Sequence, residues 1–533
     1  MIENKKRSDN NAADYEQLGY WEPLTLGEQL RSAASRYKNK IAVVEDDIRL
    51  TYEELDKTAD KLAAGLSGMG IQAGDNVVVQ LPNCISFITV CFALFRIGAR
   101  PVLALPSHRE AELDAVFNLA EPVAYIIPKT FLGFDYEKIA DTLTKRYSSV
   151  KLVITDGKGE NSIDINDIPI PAIDFGDVPS YKSTALFLLS GGTTGIPKMI
   201  SKSHTAYAYN AKATAKRCGL TAQSVYLAVL SIAHDYPLCC PGVIGTLLCG
   251  GTVALCKTSS YDEAFPLIEK ERVTIIAVVP AVINVWLETL EWDTSVDVSS
   301  LEVILVGAAK LEKDIAKRII SRMGCRLQQG YGLGEGITCF TSPDDPEDIA
   351  CSCQGRPVSE ADEIKIVDES GNEVAGGEFG ELIERGPYTF SGYYKAPELN
   401  RQCFTADGFF RTGDRARITP EGNIQIEGRI KEQINRAGEN VVPAEIELYL
   451  RKHPNIKDAS VISLPDETLG ERTCAFLITD GNMLGLADIC KFLKDMGVAR
   501  YKIPDQIELI ECLPFTNVGK VDKKKLREYA QTI

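Results

Sequence analysis

The stretch "DEAFPLIEKERVTIIAVVP", residues 262–280, falls into two halves of different character. Residues 262–273 place apolar side chains at helical spacing among charges, whereas "TIIAVVP" at 274–280 is a continuous apolar run. A helix leading into a strand covered on both faces is the expected reading, because a half-exposed strand would alternate apolar with polar residues.

The same texture repeats on both sides. Eight further runs read as buried strands: "NVVVQL" (76–81), "PVLALP" (101–106), "AYIIP" (124–128), "KLVITD" (151–156), "ALFLLS" (185–190), "VYLAVL" (225–230), "TVALC" (252–256) and "EVILVG" (302–307). "EKDIAKRIISRMG" (312–324) has helical spacing, and Thr51 with Glu54 forms a capping-box pattern that opens another helix. Nine runs in alternation with helices predict an α/β fold with largely parallel sheets. Past residue 340 the chain becomes rich in Gly and charge and alternates like antiparallel ribbons, with "PEGN" (420–423) as a turn. After Arg429 it reads as a compact α+β unit: helix 443–454, strands 458–465 and 473–480, and helix 486–497. The expected organisation is a large N-terminal domain of parallel-rich sheets plus a β-ribbon subdomain over 1–429, and a small α+β domain over 430–533.

At 533 residues the chain is too long for one ordinary core. Its apolar content of 45%, charged content of 25% and net charge of −16 fit a globular protein and argue against a nucleic-acid binder. The fifteen cysteines are scattered, and the opening "MIENKKRSDNNAADYEQ" has no apolar leader core, so reduced thiols and a cytoplasmic location are expected. Neither Cys351/Cys353 nor Cys239/Cys240 has zinc-pair spacing, and only four histidines are present. No window reaches 18 uninterrupted apolar residues, so no membrane partner is expected.

"LLSGGTTGIPKMISKSH" (188–204) carries the chemistry. Glycines let backbone N–H groups approach an anion, hydroxyls add donors, and Lys198 adds charge: a phosphate cradle. It lacks the Walker pattern, since Pro197 precedes the lysine and Met199 follows it.

The loop resembles the phosphate-binding signature of the adenylate-forming superfamily. Four later segments resemble that superfamily's motifs in order: "QQGYGLGEG" (328–336), "FRTGD" (410–414), "EGRIKEQI" with "NRAGENV" (427–441), and "TNVGKVDKKKL" (516–526). "GYWEPLTLGEQL", "HDYPLCCPGVIG", "GAAK", "RGPYTFSGYYKAPE" and "YKIPDQIE" narrow the resemblance to stand-alone ligases that activate 2,3-dihydroxybenzoate or salicylate for siderophore assembly.

This resemblance implies a two-step reaction: a small carboxylic acid attacks the α-phosphate of Mg-ATP, and a thiol then takes the acyl group. It assigns Ser190, Gly191, Gly192, Thr193, Thr194, Gly195 and Lys198 to the phosphates. Asp414 goes to the ribose hydroxyls, Gly307, Gly330 and Tyr331 to adenine, Arg429 to ribose or phosphate, and Glu335 to Mg2+. Lys520 is the expected catalytic lysine, neutralising charge as the carboxylate meets the phosphate, with His234 beside the carboxylate. The resemblance also implies that the small C-terminal domain is mobile and rotates after adenylation, with Lys431 at the hinge and Gly438 at the thiol tunnel. His234, Asp235, Tyr236, Cys240, Gly330, Gly334 and Thr338 are expected around the acid. The implied acceptor is a separate aryl or peptidyl carrier protein, with coenzyme A as the alternative.

Some positions depart from the relatives' pattern. Asp235 stands where they usually carry Asn, which implies an acidic wall suited to an amino-bearing aryl acid or β-amino acid as an alternative substrate. Gly330 and Gly334 replace larger residues and Thr338 is more polar, so a roomier pocket is expected. A fatty acyl ligase fits "HDYP" poorly, and a non-catalytic scaffold fits poorly with Lys520, Glu335 and Asp414 all present.

Overall fold

The computed structural model describes residues 15–171, 178–190, 197–293, 295–430, 433–481, 484–514 and 521–531. All nine apolar runs form strands. Among the described residues, two sheets dominate. One has nine strands, with Val303–Val306, Ile275–Val278, Val225–Ala228 and Thr252–Leu255 parallel at its centre. The other has seven, with Arg100–Leu103, Asn76–Val79, Ala124–Pro128 and Leu152–Asp156 parallel and Lys198–Ser203 antiparallel at one edge.

Strand parity explains why the runs are apolar throughout. Val77 and Val79 face the core shared by the two sheets, while Val78 faces a separate cluster with Val116, Phe117 and Leu143. In the larger sheet, Ala277 and Leu305 face the shared core, while Ile276 and Ile304 pack with Trp286, Ile319 and Leu287. Helices Leu26–Tyr37, Tyr52–Gly68 and Ile85–Ile97 contribute to the shared core. The order is therefore helix, sheet, helix, sheet, helix, and each buried aliphatic side chain contributes about 1.5–3 kcal/mol. Thr51 caps its helix reciprocally with Glu54, as expected, and Thr25 does the same with Glu28; such caps are worth about 1 kcal/mol.

A four-stranded antiparallel sheet follows, in which Phe410–Ile418 pairs with Ile424–Arg429 across the "PEGN" turn. Sheet membership then changes: Arg429 ends that ribbon, and Ile434–Arg436 belongs to a five-stranded sheet of the C-terminal unit. Helix Pro443–Leu450 is shorter than the expected 443–454, because a turn at Arg451–His453 ends it before Pro454. All fifteen cysteines are free, and eleven are buried. Among the described residues, no helix is long and apolar enough to cross a membrane.

Candidate active site

The candidate residues gather where parallel strands end. Gly307 follows Val303–Val306, the His234 segment follows Val225–Ala228, and Gly330 to Glu335 lie at the end of the strand paired with Val303–Val306. Carboxyl ends of parallel strands are where an open α/β sheet leaves a crevice. Ser190 and Lys198 are opposite partners in an antiparallel pair, so the loop between them leaves a fixed two-stranded stem. Gly191, Gly192, Thr193, Thr194 and Gly195 lie outside the described residues, as do Lys431 and Lys520.

The segment 330–335 touches the other parts of the site. The Tyr331 hydroxyl donates to Asp414 Oδ2 at 2.6 Å, and Asp414, 3% exposed, stands opposite Arg429 in the ribbon. Tyr393 donates to Glu335 Oε1 at 2.7 Å, while Lys198 Nζ lies 4.8 Å from the centre of the Tyr393 ring. Glu335 is thereby tied to the stem of the glycine loop. The Glu335 carboxyl offers hard oxygen donors of the kind a divalent cation takes.

The glycines do not make the expected roomier pocket. A Cβ on Gly330 would stand 2.3 Å from Phe340 Cε1, and one on Gly334 would stand 3.0 Å from Ile200 Cδ1. The volume their side chains vacate is filled by Phe340 and Ile200. Gly307 is close-packed in turn, with a Cβ position 3.3 Å from the Tyr236 ring.

On the acid side, His234 precedes the short helix Asp235–Cys239. Tyr207 donates to Asp235 Oδ1 at 2.7 Å, and the Cys240 thiol lies 3.9 Å from Asp235 Oδ2. Burial raises the Asp235 pKa, with nearby Lys202 opposing that shift. Cys240 is also 3.7 Å from Thr338 Oγ1 and 3.5 Å from Asn210 Nδ2. Tyr236 packs near Phe340, and its hydroxyl is buried without a hydrogen-bond partner among the described residues.

The C-terminal unit closes over this end of the sheet. Glu439 Oε1 is 3.3 Å from His234 Nε2. Desolvation favours neutral His234, but the Glu439 carboxylate outweighs it and raises the histidine's pKa. Gly438, at φ +90°, lies against Val279: a Cβ there would stand 2.9 Å from Val279 Cγ1. Asn435 donates to the Ala308 carbonyl.

Sequence reasoning passed over Tyr207, Lys202, Tyr393 and Glu439. Tyr393 and Glu439 fall inside quoted motifs, where the pattern gives no role to individual side chains. Tyr207 lies in helix His204–Arg217 with no local signal at all.

Residues 30–394 match the AMP-binding enzyme family, and residues 445–520 match the AMP-binding enzyme C-terminal domain. The chain is 45% identical to the 2,3-dihydroxybenzoate-AMP ligase of Bacillus subtilis over 98% of its own length and 96% of that protein's. It is 40% identical to enterobactin synthase component E of Escherichia coli, covering 97% and 96%. The apo structure of Mycobacterium smegmatis MbtA superposes with a TM-score of 0.76 at 39% identity, covering 98% and 97%. The chain belongs to the AMP-binding enzyme family, in its branch of aryl-acid–AMP ligases.

Proposed function

We propose that this ligase activates a hydroxybenzoic acid of the 2,3-dihydroxybenzoate or salicylate type and passes it to a carrier-protein thiol in siderophore assembly. The carrying observation is that segment 330–335 contacts the stem of the glycine loop, Asp414, and the packed wall of Tyr236 and Phe340. Nucleotide and acid then meet at one segment.

In this reading a carboxylate oxygen bonds to the α-phosphorus of ATP, the α–β bridging P–O bond breaks, and pyrophosphate leaves with the electron pair. Two anions must approach, so positioning and charge neutralisation dominate. The loop from Ser190 to Gly195 and Lys198 take the phosphates, Asp414 the ribose, and Gly307, Gly330 and Tyr331 the adenine. Lys520 neutralises the reacting groups, and Arg429 is assigned to ribose or phosphate. Mg2+, held through Glu335, supplies further charge neutralisation when bound. Asp235, Tyr236, Cys240 and Thr338 line the acid, with Gly330 and Gly334 behind them, and His234 borders its carboxylate. The small domain begins at residue 430, with Lys431 as hinge and Gly438 beside the thiol's path.

A protonated Asp235 both donates and accepts, as a phenol requires, and its burial favours that form. A second reading, an amino-bearing acid, is favoured by Asp235 Oδ2, whose hydrogen-bond neighbour among the described residues is the Cys240 thiol at 3.9 Å. The test is acid-dependent pyrophosphate release from ATP by the full chain. Salicylate or 2,3-dihydroxybenzoate should support it, and Lys520→Ala should lower it at least a hundredfold. Release that needs no acid, or a Lys520→Ala enzyme as active as wild type, would refute the assignment.

A further inference from the structure

The contact between the large and small units contains a buried ionic cluster outside the site. Lys502 Nζ lies 2.6 Å from Glu445 Oε1, within the small unit, and 3.4 Å from Glu112 Oε1, which belongs to helix Glu110–Ala120 of the large one. These side chains are only 7%, 7% and 2% exposed for Lys502, Glu445 and Glu112. Glu112 is held at both oxygens: Oε1 accepts from the Ala499 backbone N–H at 3.0 Å, and Oε2 accepts from the Arg109 N–H at 2.9 Å. Beside it, the Ala111 N–H donates to the Gly497 carbonyl at 3.2 Å, and Ala111 packs on the small unit's core.

The cluster engages one face of the small unit's sheet. Val461, Ala475 and Leu477 face the core that contains Ile503 and receives Ala111, whereas Ile462, Cys474 and Phe476 face the opposite core, against which Val521 packs. In this arrangement the face with the cluster also belongs to the hairpin whose Glu439 meets His234. Val521, next in sequence to Lys520, is on the other face.

We propose that Glu112 is a positioning residue for the second half-reaction: it latches Lys502 and Ala499 so that the Gly438–Glu439 hairpin closes on the site for thiol transfer. This rests on the assignment of Lys520 to adenylation under the proposed function. In the transfer, the thiol sulfur bonds to the acyl carbon, the carbon–oxygen bond to AMP breaks, AMP leaves with the electron pair, and the thiol proton passes to solvent. A buried carboxylate with a shared lysine is a discriminating latch. Separation leaves Glu112 to water while Lys502 keeps Glu445, whereas a neutral residue at 112 leaves the buried cation with one partner fewer.

The test compares Glu112→Gln, Glu112→Asp and wild type in two assays on the full chain. One is ATP–pyrophosphate exchange with salicylate or 2,3-dihydroxybenzoate; the other is thioester formation with pantetheine or coenzyme A. Glu112→Gln should keep exchange within about twofold of wild type and lose at least tenfold in thioester formation, with Glu112→Asp recovering part of the loss. Equal losses in both assays, or none in either, would overturn the latch. Amide exchange gives a readout independent of the acceptor: residues 108–113 and 497–503 should both lose protection in Glu112→Gln, and unchanged protection refutes the proposal. Wild-type enzyme that activates acid but forms no thioester with pantetheine or coenzyme A excludes these small thiols as acceptors, and the amide-exchange readout then decides the latch.

Discussion

Tyr331 donates its hydroxyl hydrogen to Asp414 Oδ2 at 2.6 Å, joining the end of a sheet strand to the antiparallel ribbon. The hydroxyl orients the buried Asp414 side chain, the group proposed for the ribose. Tyr331→Phe keeps the ring and removes one hydrogen bond to a charged group, worth about 1.5–3 kcal/mol. The expected result is a KM for ATP raised about tenfold or more with kcat changed less than threefold, read by steady-state kinetics. An unchanged KM would separate Asp414 from nucleotide binding.

The contact between His234 and Glu439 should make the docking of the small unit depend on pH. Glu439 raises the His234 pKa and is itself lowered by the histidine. The contribution of the pair is fully present below the ordinary histidine value of about 6.5 and is lost as pH rises through the raised value. The side chains are 39% and 29% exposed, which limits the pair to about 0–1 kcal/mol. Amides of Ile434–Val441, corrected for intrinsic exchange, should be up to about fivefold better protected at pH 6 than at pH 8.5. Glu439→Gln should remove that difference.

A second pH effect comes from beneath the site. Burial pushes the Asp362 carboxyl up to about 8 and Glu384 up to about 7; the Glu384 charge raises Asp362 further, and the Glu335 charge raises Glu384. Tyr388 donates to Asp362, and Thr389 donates to Glu384 at 2.6 Å. Both folded-state values exceed the unfolded ones, so their contribution is fully present below about pH 4 and is lost as pH rises toward 8. Thermal unfolding should therefore occur at a lower temperature at pH 8.5 than at pH 6. The double variant Asp362→Asn, Glu384→Gln should flatten that dependence, and a wild-type Tm equal at the two values would contradict it.

The strands were legible because each is buried on both faces, which leaves an unbroken apolar run that one sequence can show. The alternation of Val77, Val78 and Val79 between two cores is invisible in the run itself, since every position is apolar. Asp414, Glu335 and the His234 segment were picked out through motifs that resemble a family's, and the structure brings them to the same end of the sheet. Phe340, Ile200 and Tyr207 were not picked out. They fill or brace the site from distant positions, and only the register of Gly330 against Phe340 shows that the glycine is there to admit a ring. Glu112 and Lys502 carried no signal, because nothing local in either segment reveals the other 390 residues away.

The measurement that bears most directly on the central claim is pyrophosphate release from ATP across salicylate, 2,3-dihydroxybenzoate, benzoate, anthranilate and several β-amino acids, with wild type and Asp235→Asn side by side. Asp235 accepts from Tyr207 at Oδ1 and burial shifts its carboxyl upward, so a hydroxybenzoate should be the preferred acid, and Asp235→Asn should keep that preference within about threefold. Release confined to amino-bearing acids in wild type, shifting toward salicylate in Asp235→Asn, would contradict the account and make Asp235 the partner of a substrate ammonium.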